Sequence, residues 1–361
     1  MLDVWPEALE NKEISAAIML DMIAAFDVVD HDILIEKLKL YGVDPSSSEW
    51  IKSYLTSRSQ KLYIDGAYSG VLDLEAGVPQ GSVLGPLLYV IFTNDLPESV
   101  HDHLSESGAF FNTNCKSCGD MCFFADDSTF TTSGTNPEEI MKTIEVKYKA
   151  IKSYMTNNKL VLNTDKTHLL IMATPYQHRM YNNFGISLNT GTEIIEPVNS
   201  ETLLGGHISN DFKFNIHLKD HDKSMFKGLT SRGNALSKVS RISSFKTRKM
   251  IADGIVMSKL LYLIQWWGGG SAYLLQYLQV LQNRAARMVT KLSWSTSTSK
   301  LLNQLGWLSV KQLVEFHSLT LLFKMISQAK PAYFHDKLNT EFPYPTRLAT
   351  GNGLRRLETC Q

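Results

Sequence analysis

Residues 14–20 read Ile-Ser-Ala-Ala-Ile-Met-Leu and run straight into Asp21. A run this short and this apolar is a buried strand. A carboxylate at its end is costly to desolvate unless a cation meets it. Further along, Phe123-Phe124-Ala125-Asp126-Asp127-Ser128 puts two acids at the tip of a strand–turn–strand segment. Adjacent carboxylates repel each other unless a cation lies between them. Two neighbouring strands that bring Asp21 beside Asp126 and Asp127 would make a two-metal site, with Mg²⁺ held by a few carboxylates plus substrate phosphates. Read singly, Asp126 and Asp127 are also ordinary turn formers.

The rest of the chain alternates strand and helix signals and then turns helical. Residues 31–41 and 46–58 read as helices split by Gly42 and Pro45, and residues 61–75 as a hairpin around Asp65-Gly66. Residues 82–94 read as an apolar helix entered through Pro79-Gln80-Gly81 and closed by Pro97, and residues 98–120 as an inserted polar loop. Asn136 and Pro137 start a helix that reaches about residue 158, with Ile140, Ile144, Ile151 and Met155 near one face. Strands are expected at 159–162 and 167–173, then a hairpin around Asn189-Thr190-Gly191. The pattern is helical from about 212 to about 328. The expected class is therefore α/β (α+β): an antiparallel sheet with helices on one face over residues 1–211, a helical segment over 212–330, and a weakly structured tail over 331–361.

Charge is balanced overall, with Lys plus Arg and Asp plus Glu at 36 each, so the total selects no partner. It is segregated along the chain, however. Residues 1–40 hold nine acidic and three basic side chains, and residues 211–250 hold ten basic and three acidic. An acidic front and a basic back suit a metal site joined to a phosphate-binding surface; solvated helix faces would look the same. Four cysteines are too few for a disulfide framework. The first residues lack a basic, then apolar, leader, and the apolar stretch 254–267 is cut by Lys259 and too short to span a bilayer. The expectation is an intracellular protein, nuclear or cytoplasmic, neither secreted nor membrane-bound, with no obligate protein partner evident.

Four segments in order carry a resemblance: Leu20-Asp21-x-x-x-Ala25-Phe26-Asp27, Gly77-Val78-Pro79-Gln80-Gly81-Ser82-Val83-Leu84-Gly85-Pro86, Phe124-Ala125-Asp126-Asp127, and Leu162-Asn163-Thr164-Asp165-Lys166-Thr167. They resemble motifs A, B, C and D of the reverse transcriptases of non-LTR (LINE-type, jockey/CR1-like) retrotransposons. Residues 281–287, Leu-Gln-Asn-Arg-Ala-Ala-Arg, are similar to the thumb and following segment of those elements. The resemblance implies a polymerase palm followed by a helical thumb, and RNA-directed DNA synthesis from dNTPs on an RNA template and a DNA primer. It implies two Mg²⁺ ions, replaceable by Mn²⁺, on Asp21, Asp126 and Asp127. Phe26 would be the steric gate against a 2′-hydroxyl. The backbone carbonyls of Met22 and Ile23 would face metal and triphosphate. Pro79, Gln80 and Gly81 would shape the floor under the incoming base, with Gly81 letting the backbone approach closely. Lys166 would be the general acid for the leaving pyrophosphate, against the alternative of a solvated lysine. Lys246, Arg248 and Lys249, within the basic stretch, would contact phosphates. Trp266-Trp267, beside Gly268-Gly269-Gly270, could stack bases, but reads better as buried packing at a helix end.

Cys115, Cys118 and Cys122, with His101 and His103 upstream, have an irregular spacing that leaves structural zinc and free thiols both open. Gly206 stands where the family more often has an apolar residue, which predicts an altered primer-grip hairpin at Leu204-Gly205-Gly206. Only twenty residues precede Asp21, so the chain reads as an N-terminally truncated copy that lacks most of the fingers and polymerises poorly alone. The alternatives are an inactive remnant that binds nucleic acid, and another palm-fold nucleotidyl transferase.

Overall fold

The apolar run at the front of the chain is the middle strand of the largest sheet. The computed structural model describes residues 4–106, 121–181, 187–190 and 194–328. It divides into two units, Met1–Lys213 and Phe214–Gln361. The first begins with helix α1 (Val4–Glu10) and strand β1 (Ile14–Met22), followed by α2 (His31–Leu40) and α3 (Pro45–Leu55). A ribbon of short strands comes next: β2 (Arg58–Gln60), β3 (Tyr63–Ile64), β4 (Ala67–Tyr68) and β5 (Leu72–Leu74). Helices α4 (Leu84–Thr93) and α5 (Leu96–Glu106) precede the β6 (Met121–Phe124) and β7 (Asp127–Gly134) hairpin. Then come α6 (Pro137–Asn157), β8 (Leu162–Met172), α7 (Pro175–Tyr181), β9 (Leu188–Asn189), β10 (Ile194–Ile195), β11 (Pro197–Val198), β12 (Ser200–Leu203) and β13 (Gly206–Ser209).

The main sheet has the order β11-β8-β1-β7-β6. Strand β1 pairs antiparallel with β7 from Ile14↔Gly134 to Leu20↔Ser128, and with β8 on its other side. The sheet is not wholly antiparallel, because β11 lies parallel to β8. Nor is cover confined to one face. Ile14, Ala16, Ile18 and Leu20 belong to a core built with α2, α4 and α6, while the alternate residues Ser15, Ala17 and Met19 are buried as well. A continuous apolar run without alternation is what burial on both faces requires.

Several expected boundaries move. Of the loop expected at 98–120, residues 98–106 belong to the helix Leu96–Glu106 and the remainder lies outside the described residues. Pro97 starts this helix instead of closing the previous one, as a first-turn proline can, and Leu96 and Val100, one turn apart, are fully buried. The polar residues between them masked this spacing. The segment before β1 forms α1, with Trp5 fully buried. The two strands expected at 159–162 and 167–173 are one strand, β8, whose pairing breaks off. Met19 faces His168 but Asp21 faces Asn163, so residues 164–167 bulge out of the ladder. The Asp65-Gly66 turn has positive φ at both residues, as a type I′ hairpin needs. The β12–β13 hairpin closes regularly at Leu203↔Gly206 around Leu204-Gly205.

The second unit is helical: α8 (Met225–Ser240), α9 (Phe245–Ala252), α10 (Ser258–Leu261), α11 (Ile264–Trp267), α12 (Ala272–Thr290), α13 (Thr298–Leu305) and α14 (Val310–Gln328), with π-helical turns at Ile216–Asp220 and Asp253–Met257. Ser224, Ser244, Ser271 and Ser297 cap α8, α9, α12 and α13 by accepting from the backbone N–H three residues on. Each such cap is worth about 1 kcal/mol. The core gathers Leu229, Leu236, Trp267, Leu278 and Val289. Trp267 is fully buried and its indole N–H donates to Tyr262 O at 2.8 Å, so it packs and does not face bases. The tail expected beyond residue 330 lies outside the described residues.

Candidate active site

Asp21 is the last residue but one of β1, one step beyond the final β1–β7 rung at Leu20↔Ser128. On the neighbouring hairpin, Phe124↔Asp127 is the closing rung, which leaves Ala125 and Asp126 at the tip. Ala125 has φ +55°, a left-handed conformation that costs a residue with a Cβ of order 1 kcal/mol or more. The sheet register therefore places the strand-end acid beside the hairpin acids. Electrostatics agree: burial pushes the Asp127 carboxyl up, and the Asp126 and Asp21 carboxylates push it further. Burial also raises the Tyr89 phenol, with a further push from Asp126.

Lys166 arrives through the bulge in β8. Its Nζ lies 3.0 Å from Asp21 Oδ2, and Asn163 Nδ2 donates to the same oxygen at 3.3 Å. The sequence reading left Asn163 without a role, and only its place in the fourth motif singles it out. Both the lysine and the carboxylate reach solvent, so the pair is worth little as stability. Among the described residues no three His, Cys, Asp or Glu side chains are gathered as ligands around one point. The acids are close enough to sense one another, while one Asp21 oxygen is turned to Lys166 and Asn163. An all-oxygen set of three carboxylates nevertheless fits a hard divalent cation in charge and donor type.

The chain after β1 turns sharply through Ile23 to Asp27, with Ala24 at φ +50°. Ile23 N–H donates to Val161 O at 2.9 Å. Met22 is buried, and the Tyr89 hydroxyl lies 3.1 Å from its sulfur. Phe26 is half-buried and stacks on Tyr89 with centroids 4.6 Å apart. Sequence reasoning missed Tyr89, because within α4 it looks like any other apolar core residue.

The second motif is stitched to the first. Val78 N–H donates to Phe26 O and Gly77 N–H to Val29 O, each at 2.8 Å. Gly77 has φ +90°, and a Cβ there would lie 2.7 Å from Asp27 O. Its carbonyl meets His31 Nε2 at 2.9 Å and accepts from Arg58 Nη2 at 2.8 Å. Gln80 Nε2 donates to both Asp27 carboxylate oxygens, at 2.9 and 3.1 Å. Gly81 has φ +79° and open space around it. A close approach of backbone to backbone within the chain occurs at Gly77, while Gly81 sits in a left-handed turn.

In the helical unit, Lys246 is exposed. Arg248 spends its guanidinium on Val289 O and Ser243 O, at 2.8 and 2.6 Å, tying the start of α9 to α12. Lys249 pairs with Asp253 at 2.9 Å. Cys115 and Cys118 lie outside the described residues, and Cys122 is a free thiol in β6.

A strand-end aspartate beside a hairpin-tip aspartate pair, on a central sheet backed by helices, is the arrangement of a polymerase palm. The family model described as reverse transcriptase (RNA-dependent DNA polymerase) matches residues 6–204. That is more than half of the chain, and the chain belongs to this family. It is 26% identical over 318 residues to a probable RNA-directed DNA polymerase from transposon BS of Drosophila melanogaster, covering 86% of this chain and 33% of that protein. It is 28% identical over 293 residues to the RNA-directed DNA polymerase from mobile element jockey of Drosophila funebris, covering 81% of this chain and 30% of that protein. The chain thus spans about a third of the length of the curated relatives it matches. These relatives match the non-LTR, jockey-like resemblance of the motifs. Among solved structures, apo telomerase from Candida tropicalis aligns at a TM-score of 0.43 and 13% identity, over 91% of this chain and 52% of that one. Among the described residues no helix is long and apolar enough to cross a membrane.

Proposed function

We propose that this chain carries the catalytic palm of an RNA-directed DNA polymerase that extends a DNA primer on an RNA template. The observation that supports this most is the register of β1 against the β6–β7 hairpin, which puts Asp21 next to Asp126 and Asp127. In the reaction the primer 3′-oxygen bonds to the α-phosphorus of a dNTP, and pyrophosphate leaves as the bond to the β-phosphate bridge breaks. Asp21, Asp126 and Asp127 would hold the divalent ions, Mg²⁺ or Mn²⁺. When bound, such ions supply activation of the attacking hydroxyl and neutralisation of the leaving oxygen. Phe26, braced by Tyr89, presents a ring that would clash with a ribose 2′-hydroxyl. The carbonyls of Met22 and Ile23, at the strand end, would face metal and triphosphate. Asp27 holds Gln80 in place, so that Pro79, Gln80 and Gly81 form a fixed floor under the base. Lys166 is placed to donate a proton to the departing pyrophosphate. Lys246, with the helix that Arg248 and Lys249 fasten, supplies contacts to template–primer phosphates. Substrates of this kind place the protein's work inside the cell.

A second reading, a non-catalytic binder of nucleic acid, is favoured by the occupation of Asp21 by Lys166 and Asn163. Primer extension on an RNA template with dNTPs and Mg²⁺ or Mn²⁺, run beside Mn²⁺ binding followed by electron paramagnetic resonance, separates the two. The polymerase reading expects Mn²⁺ binding and extension that are both lost in Asp126→Ala. Mn²⁺ binding unchanged by that substitution would overturn the assigned site.

A further inference from the structure

The helical unit contains a cavity of about 470 Å³ whose wall carries Arg241, Arg284, Arg287, Lys291 and Trp294 and no carboxylate. It opens where the C-terminal ends of α8 and α12 come together, beside the loop that follows α12. Cations at helix C-termini have an ordinary explanation, since they neutralise unpaired carbonyls. Each end amounts to roughly half a negative charge. Two ends therefore offset about one of the four positive charges. Sequence offers no further compensation: from residue 237 to residue 300 the only acid is Asp253, and it is paired with Lys249.

The cations are not consumed elsewhere. Arg284 reaches Asn234 Oδ1 at 3.2 Å, and Lys291 reaches Ser240 Oγ at 3.4 Å, both neutral partners. Among the described residues the hydrogen bonds of Arg287 are long, 3.4 Å each, to the carbonyls of Trp294 and Thr296, and its buried Nε has no hydrogen-bond partner. A buried guanidinium N–H left unpaired is destabilising, and an anion entering the cavity would satisfy it. Lys291 sits at φ +60° in the position after α12 where glycine is usual. Its side chain lines the cavity. Trp294 is 77% exposed, with the Arg287 guanidinium 4.4 Å from its ring centroid on one face. An exposed indole stiffened by an arginine, at the rim of a cationic cavity, pairs a phosphate site with a stacking platform.

We propose that this cavity binds a single-stranded segment of nucleic acid. One backbone phosphate lies against Arg241, Arg287 and Lys291, and an adjacent unpaired base lies on the open face of Trp294. A duplex is a poor fit, because its bases are already stacked and cannot reach the indole. The site lies within the helical unit alone and uses none of the palm residues, so it does not rest on the polymerase reading. It is also separate in residues from Lys246, Arg248 and Lys249.

The test uses the full chain carrying Asp126→Ala, so that binding is read without extension. Fluorescence anisotropy would follow a labelled ten-nucleotide single-stranded RNA and a duplex of equal length. Trp294→Ala is expected to weaken single-strand binding about tenfold, within the range measured for loss of one stacked base, and to leave duplex binding unchanged. Arg241→Ala, at an exposed position, is expected to lower the salt-dependence slope by about 0.7. Lys311→Ala, an exposed lysine outside the cavity, controls for charge alone and should change neither. Circular dichroism of each variant checks folding, and neither Trp294 nor Arg241 is buried. Equal losses for single strand and duplex, or no loss in Trp294→Ala, would overturn the proposal in favour of a diffuse phosphate surface. Full competition by millimolar inorganic phosphate would overturn it in favour of a small-anion site.

Discussion

The two units solve opposite electrostatic problems with different building elements. The first gathers carboxylates at the open end of a sheet, where a register of paired strands fixes them. The second gathers cations where two helices meet, with Arg287 held by the loop that follows α12 and Arg284 and Lys291 by residues of α8. The first also keeps a cation inside its fold. Lys37 is buried and donates to Phe92 O, Asp95 Oδ1 and the Tyr154 hydroxyl at 2.6, 2.7 and 2.9 Å. Strand ends give rigid, long-range placement suited to acids that must stay close despite repulsion. Helix ends give adjustable cations suited to a flexible polymer.

The sharpest way to break this contrast is to remove one acid. Asp126→Ala should lower primer extension by about 10²–10³-fold, the scale of losing one preorganised electrostatic group. Single-strand binding in the helical unit should be unchanged. A parallel loss of both, in a protein that stays folded, would show that the units do not divide the work in this way.

Next in size is Asp95→Ala. It leaves the Lys37 ammonium buried without its counter-charge. A fully buried pair broken this way costs about 3–5 kcal/mol. The Asp95 side chain is 41% exposed, so about 2–3 kcal/mol is expected. Hydrogen exchange should quicken in α2, α4, α5 and α6 while α8 and α12 keep their protection. The pH dependence follows from the same lysine. Burial holds its pKa below the ordinary 10.5, against the pull of Asp95. Between that lowered value and 10.5 the unfolded chain binds more protons than the folded one, so this group adds stability as pH rises through the window. Lys37→Met should flatten the rise in urea denaturation curves. A rise that persists in the variant would assign it to other groups.

Phe26→Ala comes third. The ring is half-buried and leans on Tyr89, so about 1–2 kcal/mol of stability should go, less than the 3–5 of a full core aromatic. Ribonucleotide incorporation, measured by extension with rNTPs, should rise. A large stability loss with unchanged sugar discrimination would make Phe26 a packing residue only.

The smallest effect separates neighbours within α9. Lys246→Ala should lower the salt slope of duplex binding by about 0.9 with no change in stability. Arg248→Ala should cost about 1 kcal/mol of stability instead, because its guanidinium caps two carbonyls. Identical salt slopes in Lys246→Ala and the parent would remove that lysine from the phosphate contacts.

Much of the palm could be read from residues alone, for a physical reason. Asp21, Asp126 and Asp127 stand at the ends of short apolar strands, a pattern that is expensive unless it serves something, and their order with the Gly77–Gly85 segment is rarely met by chance. Type I′ chemistry at Asp65-Gly66 and the Asn136-Pro137 helix start are equally local. The sequence also placed the change from mixed to helical pattern near residue 212, where the chain divides into its two units. What only the tertiary structure decided depends on distant partners. Leu96 and Val100 make a helix of a stretch that reads as polar loop, because they find a core to enter. Tyr89 becomes part of the site only by stacking on Phe26. Lys166 reaches Asp21 only because four residues of β8 leave the ladder. The cationic cavity joins residues from 237 to 294 that no single motif contains, because a cluster built from the ends of two separate helices has no local spacing to read.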